Sequence, residues 1–174
     1  MSLDAMSGLR LAPWLGGAAL CLCAALPASA TEAQGAVQVA IADIGFTDSS
    51  GEARDQGAEH ETRRLALTRE LRSGIEGEDL GSLALTCAGA CRLDAEGVDE
   101  LRRRAGAAGA AYVLVGSVHK MSTLVMSMRV AVLEAGSGKL VMERLLSFRG
   151  DNDEGWRHAG AYVTREVAAA LPPR

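Results

Sequence analysis

Tyr112-Val113-Leu114-Val115-Gly116-Ser117-Val118 is a continuous apolar run, too short for an ordinary helix and rich in β-branched residues. Such a run predicts a strand covered on both faces. After it, Leu124 to Leu133 and Leu140 to Phe148 alternate in character. The connection between them, Glu134 to Lys139, holds Gly136 and Gly138, which can take the positive φ that hairpin loops favour. An antiparallel meander is therefore expected, with Leu124, Met126, Met128, Val130 and Val132 on one face. Its last strand should place Leu140, Met142, Leu146 and Phe148 together, interrupted by Arg144. Asp151, Asn152, Asp153 and Glu154 then open a helix, where such side chains cap free N–H groups and complement the helix dipole. That helix carries one stripe, Trp156, Ala159, Gly160, Val163, Val167 and Leu171, and Pro172 and Pro173 stop it.

Upstream of the central run, Val37 to Phe46 reads as a strand that is also apolar on both sides. Val37, Val39 and Ile41 share one face with Asp43, and Ala40, Ala42, Ile44 and Phe46 share the other. Glu59 to Ile75 follows as a helix with Leu65, Thr68, Leu71 and Ile75 at helical spacing, and Leu80 to Thr86 alternates weakly as a strand. Asp94 is a natural N-cap for a helix that turns Val98, Leu101 and Ala105 inward. The order is β-α-β-α-β-β-β-α. It predicts an α/β fold of the α+β two-layer kind, with a mixed sheet of about five strands and an antiparallel C-terminal meander.

The amino terminus is a separate matter. Leu11 to Leu26 is largely apolar, follows Arg10, and ends in Leu26-Pro27-Ala28-Ser29-Ala30. The run is shorter than the ~20 residues a membrane-spanning helix needs, and A-x-A is a cleavage pattern, so residues 1–30 read as a secretory signal that is removed. The expectation is a periplasmic protein with a flexible lead-in over residues 31–36, a single domain over 37–171 and a short tail over 172–174. Removing residues 1–30 from 174 leaves 144, enough for one ordinary core. Losing Arg10 and Asp4 leaves 17 of 18 basic and 21 of 22 acidic side chains. That mild acidic excess argues against a nucleic-acid partner. The absence of a second apolar span in the sequence argues against stable membrane insertion after cleavage.

Few residues offer chemistry. Cys87 and Cys91 are the remaining cysteines, and a close pair in an oxidising compartment favours a disulfide; a redox pair would prefer C-x-x-C at a helix start. His60-Glu61-Thr62-Arg63-Arg64 begins like a zinc-protease motif, but Arg64 stands where the second histidine must be. His119, Met121, Met126 and Met128 could be soft copper ligands, yet Met126 and Met128 fall on the core face with Leu124 and Val130. No G-x-S-x-G elbow is present in the sequence, and Gly136-Ser137-Gly138-Lys139 lacks a P-loop's leading glycine and following helix. Asp43, Asp48, Glu52 and Asp55 lie in or beside an acidic loop at the carboxyl end of a strand, the place where open α/β sheets bind ligands. They form the candidate ligand loop, with a solvated loop as the plainer reading.

From helix end to strand, Ala105 to Val118 resembles TolB amino-terminal-like and curli-secretion-lipoprotein-like periplasmic domains. Cys87 to Cys91, Gly116 to Ser122 and Arg149-Gly150-Asp151-Asn152-Asp153-Glu154-Gly155-Trp156 together resemble a secreted bacterial family of unknown function. Its cysteine spacing is two residues where this chain has three. The resemblance implies a periplasmic α/β domain used in envelope assembly or accessory roles, and it brings no catalytic residues. The expectation is therefore a non-enzymatic protein-interaction module with an envelope protein as partner, without metal or cofactor. The alternative is a small-ligand or metal-binding accessory protein using the loop after Phe46.

Overall fold

A computed structural model describes residues 36–172; the expected signal peptide, residues 31–35 of the expected lead-in and the last two residues of the tail lie outside them. The chain runs β1 (Gln38–Ala42), β2 (Gly45–Asp48), α1 (Gly57–Gly77), β3 (Gly81–Leu85), α2 (Ala95–Ala107), β4 (Tyr112–Lys120), β5 (Val125–Glu134), β6 (Leu140–Arg149) and α3 (Asp153–Ala170). The sheet order is β3-β1-β4-β5-β6, with β2 also paired to β4. The β1–β3, β1–β4 and β2–β4 pairs are parallel, and β4–β5–β6 is the antiparallel meander.

Covered on both faces, β4 sits at the middle as its composition demands. Leu114 and Val118 pack with α1 and α3 on one side, and Val113 and Val115 pack with Leu101 and Ala105 of α2 on the other. On the first face α1 and α3 lie close together. A Cβ added at Gly74 would stand 2.7 Å from Thr164 Oγ1, and one at Gly160 would stand 2.9 Å from Leu67. Small residues let the helix backbones approach here. Asp94 caps α2 by accepting the Gly97 N–H at 2.8 Å. That helix packs against β1, β3 and β4, while Arg129, Glu143, Leu145 and Ser147 on the same side of the meander remain exposed.

Two one-residue irregularities redistribute side chains that simple alternation assigns wrongly. In the first, Ile41 pairs with Leu114 but Gly45 pairs with Ser117, so four steps on one strand match three on the other. The expected single strand over residues 37–46 is thereby split into β1 and β2, making six strands. The extra residue acts as a bulge and flips the alternation. Ile44 consequently joins Val39 and Ile41 in the α1/α3 core, with Phe46 packed against it, rather than sharing a face with Ala40 and Ala42. In the second, Val132 pairs with Met142 but Leu133 pairs with Leu140. Leu140 is thus moved off Met142's face and is 51% exposed.

Two further residues lie outside the core stripes read from the sequence. Leu65 is 42% exposed because the buried face of α1 follows His60, Leu67, Thr68, Leu71 and Ile75. Leu124 precedes β5 and is 64% exposed.

Thr68 holds the first bulge. The Ile44 N–H, turned out of the ladder, donates to Thr68 Oγ1 at 3.2 Å, and the Thr68 hydroxyl donates to the Arg64 carbonyl at 3.0 Å. Replacing Thr68 by valine keeps the shape and removes the acceptor. Urea unfolding of Thr68→Val is expected to show a loss of about 1–3 kcal/mol, the cost of a buried donor left unpaired, with serine at the same position recovering most of it.

Candidate functional site

Alternation along β4 turns its even-numbered residues toward α1 and α3, so Lys120, at the strand's end, points inward with Leu114 and Val118. It is 1% exposed. The loop after β2 and the amino-terminal turns of α1 and α3 close around it. Its ammonium donates to Glu52 Oε2 at 2.6 Å and Gln56 Oε1 at 3.0 Å, and lies 2.9 Å from Asp151 Oδ2. Three donors meet three acceptors. Gln56 also donates to Glu52 Oε2 at 2.7 Å.

Asp151 is the second hub. Its Oδ2 accepts from His60 Nε2 at 2.7 Å; its Oδ1 accepts from Arg63 Nη1 at 3.0 Å and from Trp156 Nε1 at 3.4 Å. Phe46 forms the apolar wall, its ring 4.5 Å from that of His60 and 5.7 Å from that of Trp156.

The charges hold one another in place. Burial opposes ionisation of Asp151, but hydrogen bonds from His60 and Lys120 outweigh it and bring its pKa down from 3.8 to about 2. Burial likewise opposes the Lys120 ammonium, and the Glu52 and Asp151 carboxylates reverse that effect and raise its pKa above the ordinary lysine value. Glu52 is lowered, first by its bond from Lys120. A lysine held protonated is a poor nucleophile, and a carboxylate held ionised is a weak base. The arrangement is suited to fixing three chain segments in place.

The candidate ligand loop does not converge. Asp43 pairs with Arg72 at 3.0 Å and accepts the Cys87 N–H at 3.2 Å. Asp48 accepts from Ser50 N at 2.8 Å, and Asp55 accepts from Gly57 N at 2.9 Å; Glu52 alone reaches Lys120. Among the described residues no group of three or more His, Cys, Asp or Glu is placed to hold a metal ion. Cys87 and Cys91 are joined by a disulfide with Cα atoms 5.4 Å apart. A cavity of about 440 Å³ lies between their loop and the start of α1, lined by Asp43, Phe46, His60, Arg64 and Cys87 among others. At α3, Asn152 is the N-cap, accepting from Gly155 N at 2.9 Å. Asp153 pairs with Arg63 at 2.9 Å, and Glu154 stands in the first helical turn. Asp151, read from the sequence as part of the cap, turns inward instead, because the buried ammonium and imidazole offer it stronger partners than free N–H groups.

Lys120 belongs to no motif in the sequence, and His60 stands there only as half of an absent zinc motif. A usable signal was present: Lys120 falls two residues after Val118 on a covered face, and a charge there must find a counter-charge.

The family model DUF3280, described as "Protein of unknown function (DUF2380)", matches residues 37–167. No curated protein matches the chain. Among solved structures, the PelC dodecamer from Paraburkholderia phytofirmans is similar at 14% identity with a TM-score of 0.50, covering 80% of this chain and 89% of that one. Lipoprotein GNA1162 from Neisseria meningitidis is 11% identical, with a TM-score of 0.47 over 78% of this chain and 99% of its own. TolB from Acinetobacter baumannii is 17% identical, with a TM-score of 0.46 over 78% of this chain, and the match spans 28% of the TolB chain. At these identities the likeness to PelC is one of fold.

The lowered pKa of Asp151 fixes the sign of an acid effect. A carboxylate depressed in the folded state contributes stability above its unfolded pKa, and that contribution is lost as pH falls from about 4 through about 2. The expected loss is up to about 2 kcal/mol. Denaturant unfolding at pH 5 and pH 2.5 should show it in the wild type, and Asp151→Asn should be less stable at pH 5 with a visibly flatter acid dependence.

Proposed function

The chain belongs to the DUF3280 family, and on that premise we propose that it is a non-enzymatic accessory module of the cell envelope, exported by its amino-terminal segment, which docks a protein partner. The observation that carries this reading is β6. It is the outermost strand of the meander and runs for ten residues, Leu140–Arg149, with Leu140 and Leu145 standing 51% and 65% exposed. A long outer strand offers unpaired main-chain groups to an incoming chain, and exposed side chains on it add specificity. The opposite edge, β3, has five residues.

The polar cluster supports the non-enzymatic part of the reading. Its ammonium and carboxylates are directed at one another and are held in charge states unsuited to nucleophilic or base chemistry. The fold relative PelC is a dodecamer, so this architecture is compatible with function through protein contacts. A small-ligand reading has one observation behind it, the cavity beside Asp43 at the carboxyl ends of β1 and β3. Its charged wall groups are already engaged, Arg64 with Glu61 at 2.7 Å and Asp43 with Arg72, so it ranks second.

A photo-reactive amino acid at Leu145, activated in intact cells, should give a discrete protein adduct. The same probe at Glu100 on α2 should give none. Absence of an adduct at Leu145, or equal labelling at both sites, would contradict docking through β6.

A further inference from the structure

The hydrogen-bonding parity of β6 shows which groups face outward. The Gly150 N–H donates to the Leu124 carbonyl at 3.3 Å, which makes Leu124 and Gly150 a hydrogen-bonded pair. The same register continues through Met126–Phe148, Met128–Leu146, Val130–Arg144 and Val132–Met142. Even-numbered residues of β6 therefore turn their main-chain groups toward β5, and Glu143, Leu145, Ser147 and Arg149 turn theirs out of the sheet edge. Arg144 confirms the direction by donating to the Glu143 carbonyl from outside at 2.9 Å. The four side chains are all exposed and lie on the sheet face turned away from α1 and α3.

Read in order, these positions are acid, leucine, serine, base. Reversed and laid against itself the pattern is complementary: Glu143 faces the partner's Arg149 and Leu145 faces the partner's Ser147. We propose that the occupant of the β6 edge is a second copy of this chain, paired antiparallel about a two-fold axis at Leu146. The proposal rests on the docking reading above and names its partner. An isologous contact of this kind needs one self-complementary patch and nothing else, and it would extend the sheet across both molecules.

Alternative registers fare worse. Only outward-facing residues can bond across the edge, so odd positions must face odd positions and the choices step by two. One step back places Glu143 opposite the partner's Ser147 and leaves both charges without a counterpart. Two steps back place Arg144 opposite its own copy, a like-charge pair that destabilises a sheet. One step forward puts Arg149 opposite the partner's Leu145. The charges also have little to give up. Among the described residues Arg149 makes no ion pair, and Glu143 reaches only Arg129, at 3.8 Å. The Glu143 carbonyl keeps a second lone pair for the partner's N–H beside the Arg144 bond.

Sedimentation equilibrium of the exported protein should show a dimer at about 100 µM or below. Glu143→Arg and Arg149→Glu should each weaken it roughly tenfold or more, and the double exchange should restore it, because the swapped pair is again opposite in charge. Facing residues of a non-hydrogen-bonded antiparallel pair lie about 4.5 Å apart, within disulfide range. Leu146→Cys should therefore oxidise to a covalent dimer, and Ser147→Cys should not. A monomer at that concentration overturns the proposal, as does a dimer indifferent to the charge exchange or cross-linked equally from either cysteine. If Leu145 captures a different protein while the isolated chain stays monomeric, self-pairing is overturned and the docking reading stands.

Discussion

An ammonium group taken out of water needs its charge compensated on site, and Lys120 is the group around which this molecule is arranged. Removing an ion from water costs several kcal/mol even after relaxation, so the fold must supply oxygen atoms in the right places. It does so from two separate segments: Glu52 and Gln56 from the loop between β2 and α1, and Asp151 from the turn before α3. Asp151 in turn orders His60 and Arg63 on α1. The cluster therefore ties together the end of the central strand, an acidic loop and the starts of both helices on that face. Hydrophobic packing positions α1 and α3 over the sheet, and the ion cluster fixes which ends meet.

The strand-level plan was legible because it depends on periodicity. The apolar run at Tyr112 and the meander after it appear where alternation places them, and Asp94 caps α2. Legibility failed at two places where one extra residue enters a strand. Nothing in Ala42-Asp43-Ile44 announces a bulge; the cause is tertiary, because Thr68 on α1 and Leu85 on β3 accept the N–H groups of Ile44 and Asp43. Val141 in β6 is the extra residue at the second place. Parity changes across each extra residue, so the first shift relocates Ile44 and Phe46 and the second separates Leu140 from Met142's face.

At the polar site, spacing along the chain could not reveal convergence. Glu52, His60, Lys120 and Asp151 come from four places in the sequence, and their meeting is a product of topology. The acidic residues that looked like a ligand set do separate jobs: Asp48 and Asp55 close local turns, Asp43 bridges Arg72 to the start of the disulfide loop, and Glu52 balances a buried charge.

Lys120 is sealed within a structural ion cluster, where it cannot serve as a working amine. The chain has two lysines, Lys120 and Lys139, whose side chains are 1% and 73% exposed, so each is the other's control. Native acetylation by an amine reagent, followed by peptide mass spectrometry, reads the accessibility of each amine directly. Lys139 should be modified rapidly, and Lys120 should be protected until the protein is unfolded. Modification of Lys120 in the native protein at a rate near that of Lys139 would contradict this sealing.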